Sequence, residues 1–177
     1  MNKNLPQKPM KSFTKKNIWS KTAATLLFFI LVCVNVTQAQ SPNVAWAKGM
    51  GGPGGDQGRS VAVDATGNVY TTGYFQGTVD FDPNAGVLNL TSAGAGDIFV
   101  SKLDATGNLV WAKAMGGSTD DTGYCIAVDG VGNVYTTGYF SGTVDFDPNA
   151  GVLNLTSVGL QGGAAALKFH GRNIRTK

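Results

Sequence analysis

Glutamate is absent from the 177-residue sequence, and histidine occurs once, at His170. All 11 acidic residues are therefore aspartates, and charged residues make up only 14% of the chain. A single histidine is too few for a multi-histidine metal site, and it has no partners for a catalytic triad. We therefore expect a protein that is not an enzyme and that needs, calcium apart, no cofactor.

Long apolar runs are also scarce. Residues 23–34 form an apolar run that is shorter than the roughly 20 residues of a membrane-spanning helix. Six lysines and no acidic residue precede this run, and small residues close it at Ala39. This order predicts that residues 1–39 are a secretory signal peptide, followed by a short lead-in at residues 40–45. We expect a secreted or cell-surface bacterial protein without a membrane segment after cleavage; an uncleaved N-terminal anchor is the alternative.

Removing the leader changes the charge and the cysteine count. Eight Lys and Arg then face 11 Asp, which gives a net charge of 8 − 11 = −3. Nucleic-acid binding needs clustered positive charge, so we do not expect a nucleic-acid partner. Cys33 lies in the leader, and Cys125 alone remains, which excludes an intramolecular disulfide.

The dominant feature is an internal repeat with a period of 65 residues. Residues 67–92 return as residues 132–157 with one difference, Gln76 against Ser141. The word Trp-Ala-Lys at residues 46–48 also returns, at residues 111–113. A fixed period of this length is typical of repeat arrays and propellers. We therefore divide the chain into repeat 1 (residues 46–110) and repeat 2 (residues 111–177).

Each repeat predicts several short strands. Alternating apolar residues and turn-forming Gly, Asn and Asp indicate strands joined by hairpins, with Gly67 in the left-handed conformation of the first turn. The predicted strands of repeat 1 are residues 43–48, 60–64, 69–75, 77–81, 87–91, 97–104 and 109–113. Four main strands and a side hairpin per period predict an all-β fold of antiparallel propeller blades. A two-sheet sandwich is the competing architecture.

The repeated words resemble a known family. The patterns WAK-x-MGG, IAVD-x-x-GNVY-x-TGYF and DIFVSKLD-x-xGN resemble the SBBP-type β-propeller repeat of secreted bacterial proteins, over about residues 44–170. The resemblance implies a propeller-like array within long extracellular or cell-surface proteins. It implies no catalytic residues, because the family has no agreed active site.

Repeat 2 departs from repeat 1 after Ser157. Where repeat 1 has the strand at residues 97–104, repeat 2 has a run rich in Gly and Ala that retains only Lys168-Phe169 as an echo of Lys102-Leu103. Two blades do not close a propeller, so we expect an incomplete array. Residues 164–169 offer a weak partner for the strand at Trp46. The chain is then a fragment of a longer protein, or it self-associates to complete a ring.

One repeated segment suggests a metal site. Oxygen-bearing side chains alternate at positions 1, 3 and 5 of the segment 80–86 and of its copy 145–151, as at the start of a calcium loop. The candidate calcium ligands are Asp80, Asp82, Asn84, Asp145, Asp147 and Asn149. The pattern departs from an EF-hand loop, which has Gly at position 6, where Ala85 and Ala150 stand here. A hairpin tip built from turn-forming Asp and Asn is the alternative.

The repeated aromatic residues and loops complete the sequence-based hypothesis. We expect Tyr70, Tyr74 and Phe75 to fill the gap between blades, with a sugar-binding surface as the alternative. Loops 49–59 and 82–86 are expected to face solvent. The sequence thus predicts an exported, non-enzymatic scaffold that binds a protein or glycan. A remnant of a larger propeller lyase or glycosidase, and a calcium-stabilised adhesion element, are the alternatives.

Overall fold

The computed structural model describes residues 43–149, 151–158 and 162–170. The predicted leader and the last seven residues lie outside this part of the chain. Within it, every regular element is a strand, and no helix is long and apolar enough to span a membrane. The strands are β1 (Gln57–Val63), β2 (Val69–Phe75), β3 (Thr78–Asp80), β4 (Asn89–Thr91), β5 (Asp97–Leu103), β6 (Leu109–Gly117), β7 (Thr122–Val128), β8 (Val134–Phe140), β9 (Thr143–Asp145), β10 (Asn154–Thr156) and β11 (Gly163–Phe169).

The same aspartate turn joins three of the hairpins. In the β1–β2 turn, Asp64 Oδ1 accepts hydrogen bonds from the backbone N–H groups of Thr66 and Asn68, both at 3.0 Å. Gly67 follows with a φ of +83°, a conformation that costs glycine little because it has no Cβ. The turns at residues 104–108 and 129–133 repeat this arrangement. The sequence prediction for this turn is confirmed.

Blade 1 contains the four main strands that the sequence predicts. Strands β1, β2, β5 and β6 pair in this order and are antiparallel, and the side hairpin β3–β4 leaves the sheet between β2 and β5. Strand β6 extends beyond the predicted end because Gly116 and Gly117 pair with β9. The word Trp-Ala-Lys therefore lies in the last strand of a blade. Sequence repeat and structural blade are out of phase by about one strand.

In the described part of the chain, blade 2 contains three main strands, β7, β8 and β11, and its side hairpin β9–β10 extends the sheet of blade 1 beyond β6. Residues 164–169 do not pair with the segment at Trp46, so that expectation is wrong. They belong to β11, which pairs with β8 so that Gly163 faces Phe140 and Phe169 faces Val134. This is the register of β5 on β2 in blade 1. Residues 163–169 thus form a strand because β8 offers an unpaired edge, although their sequence differs from that of β5.

The predicted strand at residues 43–48 is also wrong. These residues lie in no sheet, and the segment that follows makes an isolated bridge between Gly51 and Asp80. The physical reason is the lack of a partner edge among the described residues, because a single strand cannot satisfy its own backbone groups.

The two blades pack face to face. Strand β7 crosses over β1 and β2, and Gly123 lies so close to Thr72 that a Cβ at this position would overlap the Thr72 hydroxyl. The larger hydrophobic core contains buried residues of both blades: Tyr70, Ile98, Val100, Trp111, Met115, Val134, Phe140, Val144, Phe146, Ala165 and Phe169. A second core inside blade 1 consists of Phe75, Val79, Phe81, Phe99 and Ala112. The fold is thus an all-β, propeller-like array that is not closed, as the sequence predicts.

Candidate interaction surfaces

A repeated aspartate fixes the loop that enters each blade. Asp121 accepts hydrogen bonds from Gly117 N at 2.8 Å and Ser141 N at 3.0 Å. It is fully buried, and this burial raises the pKa of its carboxyl group. Asp56 makes the equivalent bonds, to Gly52 N at 2.7 Å and Gln76 N at 3.2 Å. Asp121 therefore ties the end of β6, the last strand of blade 1, to blade 2, and Asp56 ties the segment that precedes β1 to the end of β2.

Asp97 is a second buried carboxylate at the same junction. Its Oδ2 accepts a hydrogen bond from Ala93 N at 2.9 Å, and its Oδ1 has no partner within the described part of the chain. Burial, together with the nearby charge of Asp121, raises the pKa of Asp97. Its carboxyl group fits because Gly116 has no Cβ. In blade 2 the corresponding position is Gly163, so this feature occurs once.

The candidate calcium ligands lie at the tips of the side hairpins, where they hold the local backbone. Asp80 Oδ1 accepts hydrogen bonds from Asp82 N at 3.0 Å and Leu88 N at 2.8 Å, and these bonds lower the pKa of Asp80. Asp82 Oδ1 accepts one from Asn84 N at 2.9 Å. The backbone bonds of the copy are the same, with Asp145, Asp147 and Asn149 in the corresponding places. The turn-forming alternative thus describes what these side chains do in the structure.

The tip of blade 1 makes additional contacts that have no counterpart at the tip of blade 2 among the described residues. Asn84 Oδ1 accepts a hydrogen bond from Lys48 Nζ at 2.5 Å, and Asn84 Nδ2 donates to Gly107 O at 3.3 Å. Among the described residues, no group of three or more His, Cys, Asp or Glu side chains could hold a metal ion. A calcium site made of two aspartates and one asparagine remains a prediction.

Comparison with protein families identifies the repeat. The SBBP family model, described as a beta-propeller repeat, matches residues 46–74 and 110–139. These two segments of the chain are therefore similar to SBBP beta-propeller repeats. Each match contains a Trp-Ala-Lys word and runs through the hairpin that follows it, β1–β2 in the first match and β7–β8 in the second.

A distant relative has a propeller-type name. The chain is 28% identical over 138 residues to an uncharacterized WD repeat-containing protein of Acanthamoeba polyphaga mimivirus. The similarity covers 66% of this chain and 10% of the relative. The chain thus spans about a tenth of the relative's length. The likeness supports a propeller-type repeat module.

Calcium binding at the tips of the two side hairpins has a direct test. If the side-hairpin tips bind the ion, added calcium should raise the melting temperature by several degrees and a chelator should reverse the rise. The double variant Asp82→Asn, Asp147→Asn should lose this response. It keeps an acceptor oxygen at each Asx turn, so the fold is expected to survive. Differential scanning calorimetry with calcium, magnesium and chelator measures the effect, and an unchanged melting temperature in the unmodified protein would contradict the site.

The two side hairpins expose the same apolar residue beside their tips. Val87 and Val152 are 72% and 74% exposed, and they occupy identical positions in the two side hairpins. The backbone next to each valine is held by a carboxylate, through Leu88 N on Asp80 and Leu153 N on Asp145. The protein therefore presents two ordered copies of one small apolar surface.

The aromatic residues divide between the core and the surface. Tyr70 is buried in the core that contains residues of both blades, as predicted, whereas Phe75 is buried in the core inside blade 1 and not between the blades. The Arg59 guanidinium instead lies over the ring of Tyr74, 5.6 Å from its centroid, and over the ring of Tyr124, 5.3 Å from its centroid. Sequence reasoning missed this cluster, because Arg59 and Tyr124 are counterparts in the two repeats and differ in type. It also missed Asp56 and Asp121, although their 65-residue spacing was a usable signal.

Proposed function

We propose that the chain is an exported, non-enzymatic scaffold whose repeated loops bind a partner that itself repeats, such as a glycan polymer or a repetitive surface protein. The observation that carries this proposal is the pair of identical side-hairpin loops, residues 82–88 and 147–153, each ordered by an aspartate. Exposed apolar residues rimmed by polar ones are typical of interaction sites.

Duplication favours a repetitive partner on energetic grounds. One exposed valine offers little area, so a single loop is expected to bind weakly. Two identical loops on one rigid body can engage two units of the same polymer, and the second contact then forms at a high effective concentration. Identical residues at corresponding positions are what such a ligand requires, whereas an active site is normally built once.

Export is part of the proposal and is supported by the sequence of residues 1–39, with its lysines, short apolar run and small residues before the expected cleavage site. N-terminal sequencing of the protein recovered from the medium or cell surface tests it. A chain that begins at Gln40 supports export by cleavage, and a chain retained in the cytoplasm with Met1 or Asn2 at its start contradicts it.

The binding site is tested by changing the two valines separately and together. Val87→Asp and Val152→Asp should each weaken binding to a long polysaccharide or repetitive protein by about tenfold or more, and the double variant should abolish it. Val131→Asp is the matched control, because Val131 is 67% exposed in the β7–β8 turn and belongs to neither side hairpin. Affinity electrophoresis in gels containing a panel of polysaccharides, followed by calorimetry on the best ligand, measures the effect. Equal retardation of all variants would contradict the assignment.

A further inference from the structure

Strand β11 has a free edge among the described residues. In blade 1, the corresponding strand β5 pairs on one side with β2 and on the other with β6. In blade 2, β11 pairs with β8 and ends the sheet. An exposed row of backbone N–H and C=O groups is a template for another strand.

A cleft marks the place where the fourth strand of blade 2 would lie. It has a volume of about 330 Å³ and lies between β11 and the side hairpin, with Phe146, Leu153 and Phe169 among its lining residues. In blade 1 the same place holds Ala112 of β6, which packs in a core with Phe81 and Phe99. The wall formed by Phe146, Leu153 and Phe169 is therefore apolar. A strand that carries a small residue, as β6 carries Ala112, would pack against this wall.

The chain contains a second copy of the strand that fills this place in blade 1. Residues 46–48 repeat residues 111–113, yet they lie in no sheet. They are nevertheless held in position against blade 1, because Trp46 Nε1 donates to Ala105 O at 3.1 Å and Lys48 contacts the side-hairpin tip. The bridge of Gly51 with Asp80 matches that of Gly116 with Asp145. The segment thus occupies the position of the last strand of a preceding blade.

We propose that the segment around Trp46–Lys48 of a second copy of this chain pairs antiparallel with the free edge of β11 and completes blade 2. The register follows from blade 1, where Trp111, Ala112 and Lys113 face Lys102, Ser101 and Val100. Transferred by the common register of β5 and β11, Trp46 faces Lys168, Ala47 faces Leu167 and Lys48 faces Ala166.

A second contact accompanies this pairing. Within one chain, β7 covers the face of blade 1, so Ile126 and Val128 pack on the core. Their counterparts Val61 and Val63 in β1 are 62% and 61% exposed. The face of blade 2 that β1 of a second copy would cover is open in turn, with a cleft of about 590 Å³ lined by residues 137–139 and 162–166. The exposed face of β1 and the open face of blade 2 would therefore pack together as β7 packs on blade 1 within one chain.

Tyr135 is likewise more exposed than its counterpart in blade 1. Its counterpart Tyr70 is 1% exposed and packs edge-on against Trp111 with ring centroids 6.1 Å apart, while Lys102 lies 4.9 Å from its ring. Tyr135 is 37% exposed and has the equivalent lysine, Lys168, at 5.2 Å. Trp46 of a second copy supplies the aromatic ring that blade 2 lacks.

This contact joins two different surfaces, so it repeats head to tail. A ring forms when the rotation closes, and propellers close at about four to eight blades, which corresponds to about two to four copies of this two-blade chain. The pairing does not depend on which ligand the side-hairpin loops bind. A monomer that still binds a polysaccharide would overturn the assembly and leave the proposed function standing.

Cysteine cross-linking tests the register. In a Cys33→Ser, Cys125→Ser background, the pair Ala47→Cys with Leu167→Cys should form disulfides between chains on mild oxidation, giving bands at multiples of the monomer mass. The control pair, Ala47→Cys with Ala164→Cys, is displaced by three residues, about 10 Å along the strand, and should cross-link at least tenfold less. Equal cross-linking of both pairs, or a link within one chain, would overturn the register.

Native mass spectrometry of the unmodified protein provides an independent measurement. We expect closed multimers of about two to four copies at micromolar concentration. Trp46→Ala should shift the population to monomer by at least tenfold in dissociation constant, and circular dichroism should remain that of a β protein, because residues 43–50 belong to no sheet. A monomeric mass for the unmodified protein at this concentration overturns the proposal.

Discussion

Replacing Asp121 with alanine should lower the free energy of unfolding by about 2–5 kcal/mol. The carboxylate is fully buried and accepts hydrogen bonds from Gly117 N and Ser141 N. Removing it leaves two backbone donors unpaired where water has little access, at about 1–3 kcal/mol each. The bonds also join the end of blade 1 to the side of blade 2, so their loss should loosen the junction as well as the local turn.

Asp56→Ala is the matched control for this prediction. Asp56 makes the equivalent bonds to Gly52 and Gln76, but it is only partly buried, and no preceding blade covers it within the described residues. Water can then replace the lost acceptor, and we expect a loss of about 1 kcal/mol or less. Urea unfolding followed by fluorescence measures both variants, at a protein concentration where the mass is monomeric. Equal losses would show that burial of Asp121 does not govern the effect.

The hairpins could be predicted from the sequence because their signals are local. The aspartate turn around Gly67 needs only five consecutive residues, and the alternation of β2 is set by its own side chains. The same turn and the same alternation occur again 65 residues later, so the hairpin is predicted at both places. Four strands and a side hairpin in blade 1 follow from these local pieces.

The strand pairings at the chain's two open positions could not be predicted in the same way. Residues 43–48 have the alternation of a strand, but they have no partner edge among the described residues and form no strand. Residues 163–169 have lost most of the repeat's sequence, yet β8 offers an edge and they form β11. Strand formation in these two segments depends on a partner strand that is distant in the sequence. Local propensity therefore predicts a strand at residues 43–48, where none forms, and gives little sign of the strand that forms at residues 163–169.

The candidate sites show the same limit. The segments around Asp80 and Asp145 have the spacing of metal ligands, but their oxygens accept hydrogen bonds from their own loop, which spacing alone does not reveal. Asp121 becomes important only when β6 ends beside it. Exposure of Val87 and Val152, which carries the proposed function, likewise depends on where the side hairpin projects.

Replacing Phe75 with alanine should have the other large effect, a loss of about 3–5 kcal/mol in the free energy of unfolding. Phe75 is fully buried, and its ring packs edge-on against Phe81 with centroids 5.3 Å apart. Phe81 in turn packs against Phe99 at 5.0 Å, and Ala112 of the fourth strand closes this core. A cavity at Phe75 is enclosed on all sides, so the surrounding residues have little room to collapse into it.

Phe140→Ala removes the same ring from blade 2 and should cost less. Phe140 packs on Phe146 with nearly the same geometry, at 5.2 Å, but Ala165 stands where blade 1 has Phe99, and no fourth strand covers the sheet among the described residues. Because blades interact mainly with their neighbours, Phe140→Ala should free the amides of β8 and β11 to exchange while those of β2 and β5 stay protected. Phe75→Ala should raise exchange in both blades, because blade 2 rests on the face of blade 1. Hydrogen exchange read by mass spectrometry distinguishes these patterns. If the two variants lost equal stability and exchanged alike, the missing fourth strand would not be what makes blade 2 the weaker half.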